Sequence, residues 1–145
     1  EAVLLDAFYE TTGRHLPFRT DIASPLERLK AHARQGARYL LSDDGRIMAK
    51  LIMAVQDNEA LRRRFLERFY EPRRKAARQV VDDAVAAGEL PPETDPEVLI
   101  DAIYGPLYFR LFFGHRNLNV SFAQRIFDLA VAGTGTKDQK KGKKR

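Results

Sequence analysis

Between Asp95 and Phe113 the chain is apolar on nearly every face that a helix would present. Asp95-Pro96 is a strong helix start, because the aspartate caps free amides and proline suits the first turn. A helix at a protein surface carries one apolar stripe, and a helix apolar all round has to be covered on both sides. On a helical wheel Leu99, Ala102, Ile103, Pro106, Leu107 and Phe113 cover one side and suit the core of the same chain. Tyr108 and Phe112 fall on the other side, in the sector of Asp101 and Gly105, with Phe109 at its border. The segment after Asn119 has a wide apolar arc as well, with Phe122, Ile126 and Leu129 in one part and Phe127 and Val131 reaching round it. One chain of 145 residues has few helices with which to cover all of this. A second copy of the chain can cover it, through a four-helix contact made by the last two helices of each subunit, with Gly105 permitting close approach. The alternative is a fully internal helix in a monomer. The rarity of large exposed aromatic patches on monomers favours the dimer.

The rest of the chain also reads as helix. Residues 1–12 place Val3, Leu4, Ala7 and Phe8 at helical spacing, and Gly13 can end that segment. A loop with Pro17 follows. Ser24-Pro25-Leu26-Glu27 is a capping box with proline in the first turn. It opens a helix to about Leu41, with Leu26, Leu29, Ala33, Ala37, Leu40 and Leu41 inward. Ser42-Asp43-Asp44-Gly45 breaks it, and a third helix carries Ile47, Met48, Leu51, Ile52 and Val55 on one stripe. Asp57 or Asn58 caps the longest helix, which runs to Ala87 with Leu61, Phe65, Phe69, Ala76, Val80 and Ala84 inward. Pro72 should kink it, and Gly105-Pro106 should kink the Asp95 helix. The final helix ends at Gly133. With no period-2 segment and no repeat, the expected fold is all-α, a bundle of about six helices.

The net charge of +5 suggests nucleic acid until it is located. Lys137 to Arg145 hold six basic residues and one acid, and the body before them is neutral. Residues 1–133 therefore read as one domain and 134–145 as a disordered basic tail behind a Gly-Thr spacer. There is no cysteine, which excludes disulfides and thiolate chemistry and suits the cytoplasm. No apolar run is long enough for a membrane span.

Nothing in the sequence supports catalysis, a metal or a cofactor, so the expectation is not an enzyme. His15, His32 and His115 lack partners at metal spacing. No phosphate loop and no nucleophile elbow appears. Arg110 falls on the inward side of its helix, where a guanidinium needs a partner. That partner is an acid from another helix or an anionic ligand. Phe8, Met48, Ile52, Met53, Phe65, Phe69 and Tyr104 are candidates for a pocket between helices, although such stripes also serve as plain core. The runs Arg62-Arg63-Arg64 and Arg73-Arg74-Lys75 are interleaved with acids and read as a solvated face with i,i+4 pairs.

Several stretches resemble the C-terminal domain of TetR-family transcriptional repressors. They are Phe69-Tyr70-Glu71-Pro72-Arg73-Arg74, Ala87-Gly88-Glu89-Leu90 with Asp95-Pro96-Glu97, Tyr104 to Arg110, and Phe122 to Gly133. Residues 1–10 resemble the end of the segment that joins such a domain to its DNA-binding head. The resemblance implies a helical effector sensor that dimerises through its last two helices (candidates Gly105, Tyr108, Phe109, Phe112, Phe122, Ile126 and Leu129). It implies a small apolar or aromatic effector, with a place for a negative group near Arg110. Operator DNA would be bound only through a helix-turn-helix that the 145 residues lack, so the chain reads as a fragment. Two other classes remain open: a helical small-molecule carrier or enzyme with no DNA role, and a nucleic-acid binder acting through the basic tail.

Overall fold

The structure is a computed structural model that describes residues 2–12 and 16–135. The helix end expected at Gly13, His15 and the tail from Thr136 onward lie outside the described residues. The described residues form helices and connecting loops with no strand: α1 (Ala2–Thr12), α2 (Pro25–Leu41), α3 (Asp43–Ala54), α4 (Glu59–Phe65), α5 (Glu71–Ala86), α6 (Pro96–Phe113) and α7 (Val120–Thr134). A single π turn, Leu66–Tyr70, joins α4 to α5. The two therefore form one rod, and the described residues build the six rods expected.

The starts are set by short polar side chains. Ser24 Oγ accepts from the Glu27 amide at 3.1 Å, Asn58 Oδ1 from the Leu61 amide at 3.1 Å, and Asn119 Oδ1 from the Phe122 amide at 2.8 Å. Asp95 Oδ1 accepts from the Glu97 amide at 2.9 Å. Each satisfies an amide that the helix itself leaves without a partner. In α2 a distant acid helps, since Glu89 Oε2 accepts from the Leu26 amide at 2.8 Å. After α5 the chain turns at Gly88, φ 74°, where the Glu89 amide reaches the Ala84 carbonyl at 2.9 Å. That is the left-handed glycine ending of a helix. Two boundaries differ from expectation. The break expected over Ser42 to Gly45 is confined to Ser42, since α2 ends at Leu41 and α3 starts at Asp43. Helix α7 continues through Gly133 to Thr134.

The π turn changes the register of α5. Pro72 has no amide to return to the preceding turn, and the strain is taken up upstream, where the Glu71 amide bonds to the Leu66 carbonyl five residues back. One extra residue in a turn rotates everything downstream by about 100°. The inward positions after Phe69 are thus Arg74, Ala77, Val80, Val81 and Ala84, and the expected Ala76 is exposed.

Helix α2 is the hub, packing against α3, α5, α6 and α7. The apolar core divides along it. One cluster gathers Leu5 and Phe8 of α1, Ala37, Leu40, Met48, Val55, Phe65, Phe69, Leu107 and Ala123. The other gathers Leu29, Ala33, Ala77, Val81, Ala84, Leu99, Ile100, Ile103 and Phe127. Tyr104 packs against both. In α1 the buried positions include Leu5 and Phe8, while Val3 and Ala7 are exposed. Leu41 and Ile47, expected inside, are half-exposed.

Arginines tie the rods together. Arg74, one of the run read as a solvated face, is buried. Its Nε donates to Glu97 Oε2 at 2.8 Å, and its Nη1 donates to Asp101 Oδ1 at 2.7 Å and to the Tyr70 hydroxyl at 3.0 Å. Burial works against its charge, but the hydrogen bonds to Asp101 and Glu97 outweigh it and raise the Arg74 pKa. Arg78 Nη1 donates to Glu97 Oε1 at 2.7 Å, and Arg68 Nη1 to Asp6 Oδ1 at 2.7 Å. These pairs cross between helices, unlike the i,i+4 pairs expected along one. Among the described residues no helix is long and apolar enough to cross a membrane.

Candidate ligand-binding cavity

The two core clusters do not meet everywhere. Where they part, around Tyr104, a cavity of about 120 Å³ opens between α2, α3, the π turn, α5 and α6. Helix α2 contributes His32, Gly36, Tyr39 and Leu40, which share one face. The π turn and α5 contribute Phe69, Tyr70, Arg73, Arg74 and Ala77. Helix α6 contributes Ile100, Tyr104, Leu107 and Tyr108, α3 contributes Met48, and Leu16 closes one side from the loop before α2. A wider surface cleft of about 550 Å³ lies beyond Leu16, His32 and Arg73, which line both.

His32 organises the wall between them. Its Nε2 lies 3.0 Å from the Leu16 carbonyl, which can only accept, so Nε2 carries the proton. Its Nδ1 then accepts from the Tyr104 hydroxyl at 2.6 Å. Phe18 stacks on the imidazole with centroids 3.9 Å apart. One side chain thereby fastens the loop 16–18 to α6. Burial lowers the His32 pKa; the hydrogen bond to the Leu16 carbonyl opposes this in part, and the Arg73 charge adds a smaller lowering. Burial raises the Tyr104 pKa, and it raises that of Tyr108 to about 12. Tyr104 and Tyr108 thus present neutral phenols to the cavity, and His32 a neutral imidazole.

A lowered histidine pKa favours protonation of the unfolded chain over the folded one. Stability from this group is full above the ordinary value of 6.5 and falls as pH drops from there through the folded pKa. Urea unfolding from pH 7 to pH 5, above the range where carboxylates titrate, should show that loss. In His32→Gln the slope over this window should flatten. An unchanged slope would show that His32 is not its source.

Of the eight pocket candidates read from sequence, the structure brings Met48, Phe69 and Tyr104 to the cavity. Phe8, Phe65 and Ile52 pack in the neighbouring core cluster, and Met53 is 60% exposed. Arg110 is corrected: it faces α7, donates from Nη1 to the Asn117 carbonyl at 2.8 Å and lies 3.5 Å over the Phe122 ring. Tyr108, read as an interface residue, lines the cavity. Its former neighbours in that reading do face outward: Phe109, Phe112 and Leu129 are exposed, as are Gly105 and the expected core residues Phe113 and Ala102. Phe122 and Ile126 are half-buried. The inward stripe of α6 is 99, 100, 103, 104, 107, 108 and 111, which keeps the expected 99, 103 and 107 and turns 102 and 113 outward. His32, Gly36, Tyr39, Arg73 and Arg74 were missed. Their signal was the helical spacing 32, 36, 39, 40 beside the stripe chosen for α2, and the i,i+4 pairs Tyr70–Arg74 and Tyr104–Tyr108.

Comparison with known proteins agrees with this architecture. Residues 20–130 match the family model described as "Tetracyclin repressor-like, C-terminal domain". The chain belongs to that family. It is 35% identical over 132 residues to the "Uncharacterized HTH-type transcriptional regulator YdeS" of Bacillus subtilis (strain 168), covering 91% of this chain and 66% of that protein. The chain therefore spans just under two thirds of that relative's length. The crystal structure of the TetR family transcription regulator SCO0332 superposes with a TM-score of 0.78 at 24% identity, over 89% of this chain and 71% of that one. This shows that the fold is shared.

Proposed function

We propose that these residues form the effector-sensing and dimerisation part of a TetR-like transcriptional repressor, with operator contact made by a helix-turn-helix head. The observation that carries the reading is the cavity at the junction of two core clusters, walled by four of the chain's five tyrosines. A packed core closes such gaps, and a pocket lined by apolar groups with a few convergent polar ones is the usual form of a ligand site. A relative named as a transcriptional regulator supports the regulatory role. The effector is a small, mostly apolar molecule, and its binding shifts the population of subunit arrangements that two heads can use. The role is sensing, not catalysis, and its setting is the cytoplasm.

Gly36 supplies the test. A Cβ there would sit 3.8 Å from Tyr104 Cε1, an ordinary contact. Gly36→Ala should therefore stabilise the chain by about 0.5–1 kcal/mol, the helix preference for alanine over glycine. Gly36→Leu should fill the cavity. A ring compound that raises the melting temperature of the wild type in a thermal-shift screen should lose its effect in Gly36→Leu. A stabilisation that survives this substitution would place the ligand elsewhere and remove the basis of the reading.

A further inference from the structure

We infer that the effector is an uncharged molecule of one ring, and that an oxygen on its short substituent accepts a hydrogen bond from the Tyr108 hydroxyl. This rests on the cavity being the effector site. Size sets the first limit. An engineered apolar cavity of about 150 Å³ accepts benzene, and this one is about 120 Å³, which leaves space for one ring with a small substituent and not for a fused system. The walls set the second. Leu40, Met48 and Leu107 give an apolar lining, and Phe69, Tyr104 and Tyr108 add rings. Aromatic pairs gain from offset and edge contacts beyond the area they bury.

Charge sets the third limit. An ion that leaves water for such a lining needs a partner of opposite charge. No aspartate or glutamate stands among the described residues that line the cavity, so a cationic ligand finds no carboxylate there. Two arginines do line it, and both are held. Arg74 donates to Glu97, Asp101 and the Tyr70 hydroxyl. Arg73 donates from Nη1 to the Phe69 carbonyl at 3.0 Å, and its guanidinium lies 3.6 Å over the Phe69 ring. A carboxylate would have to draw one of them out of these contacts.

The hydroxyls then differ in what they have left to give. Tyr104 donates its proton to His32 Nδ1 at 2.6 Å. The Tyr108 hydroxyl makes no hydrogen bond among the described residues, and its side chain lines the cavity. The ionisable groups that act on it include Arg73, Tyr39 and Tyr70, which line the cavity as well, and this places the hydroxyl on the cavity side. Burial holds it in the neutral form, so it keeps its proton as a donor. A desolvated donor without an acceptor is costly, and a ligand oxygen placed there removes that cost.

The experiment compares four probes that share one ring and one attached carbon: toluene, benzyl alcohol, benzoate and benzylamine. The last two are charged at neutral pH. The reporters are tyrosine ring signals in NMR, since four of five tyrosines border the cavity. Titrations into the millimolar range should show benzyl alcohol binding about tenfold or more tightly than benzoate and benzylamine. Tyr108→Phe keeps the ring and removes the hydroxyl. It should weaken benzyl alcohol by about tenfold and leave toluene within about twofold of its wild-type affinity. Benzoate or benzylamine binding as tightly as benzyl alcohol overturns the uncharged assignment. An equal loss of toluene and benzyl alcohol in Tyr108→Phe, or no loss of either, overturns the hydrogen bond. If none of the four moves the tyrosine signals, the one-ring assignment falls, and the cavity itself is judged by the Gly36→Leu result.

Discussion

Gly45→Ala is expected to destabilise the chain by about 3 kcal/mol, lowering the melting temperature by roughly 10 °C. The direction is opposite to the usual one, since alanine in a helix interior is normally better than glycine by about 1 kcal/mol. The reason is the single-residue connection between α2 and α3. Ser42 serves both helices: its hydroxyl donates to the Tyr39 carbonyl at 2.5 Å and accepts from the Gly45 amide at 3.2 Å. This folds the first turn of α3 back against the last turn of α2. A Cβ on Gly45 would stand 2.1 Å from the Tyr39 carbonyl oxygen and 2.6 Å from Leu40 Cα. Both are backbone atoms, so no side chain can swing away to make room. The two helices would have to separate. Tyr39, Leu40 and Met48 border the cavity from these two helices, so ligand-induced stabilisation should fall with the fold. Urea or thermal unfolding checks the first effect. A Gly45→Ala protein as stable as the wild type would mean that the α2–α3 corner is not packed this way. Gly105→Ala is the natural contrast, because nothing lies within 4 Å of a Cβ at that position in the single chain.

Gly45 also shows what a sequence can and cannot convey. As one residue in Ser42-Asp43-Asp44-Gly45 it read as a helix breaker, when in the fold it is the close contact that lets two helices share a cap. Helix existence was legible because caps and prolines act locally: Ser24, Asn58 and Asp95 each bond to amides two or three residues away. Helix phase was legible only where one face is polar. Helix α2 has charged residues on its outer side, and its inner residues Leu29, Ala33, Ala37 and Leu40 were found. Helix α6 is apolar all round, so periodicity carries no information on its angle, and Arg110, Phe113 and Tyr108 were placed on the wrong sides. The π turn is a second source of error. It inserts one residue into a turn for reasons of backbone bonding around Pro72, and nothing in the spacing of Phe65, Phe69 and Ala76 reveals it. That one-residue rotation carries Arg74 and Ala77 inward, to the cavity wall. The site was then only partly readable. Met48, Phe69 and Tyr104 followed from their stripes, whereas His32 gains its role from Leu16 and Phe18, which lie in a loop, and from Tyr104, seventy-two positions away.

The outward half of α6 leads to the other large effect. Once the correct stripe is removed, Val98, Phe109, Phe112 and Phe113 remain exposed, and Leu129 of α7 joins them at 70% exposure. Phe109 packs on Phe113 with ring centroids 4.8 Å apart, and Phe112 lies 6.2 Å from Tyr108. These rings cover one another and leave their outer faces bare. A patch of this kind on α6 and α7 fits the proposed dimer, in which a second copy lays the same two helices across it. Leu129 and Phe113 are mostly exposed within one chain, where Phe113 rests on Phe109, so Leu129→Asp and Phe113→Asp should lower the stability of the isolated subunit by only about 0.5–1 kcal/mol. At the centre of an interface, loss of such an apolar anchor costs about 2–4 kcal/mol, and a buried unpaired carboxylate adds to it. Association should therefore weaken by about thirtyfold or more for each substitution. In sedimentation at tens of micromolar, as a rough scale, the wild type should run as a dimer and both variants largely as monomers. Met53→Asp, equally apolar and exposed but on α3, should leave the dimer intact. A wild type that sediments as a monomer would refute the dimer. An unchanged dimer in Leu129→Asp and Phe113→Asp would move the interface away from α6 and α7. Tyr108→Asp does not serve here, because its ring faces the cavity and its loss would be read as a change of ligand site.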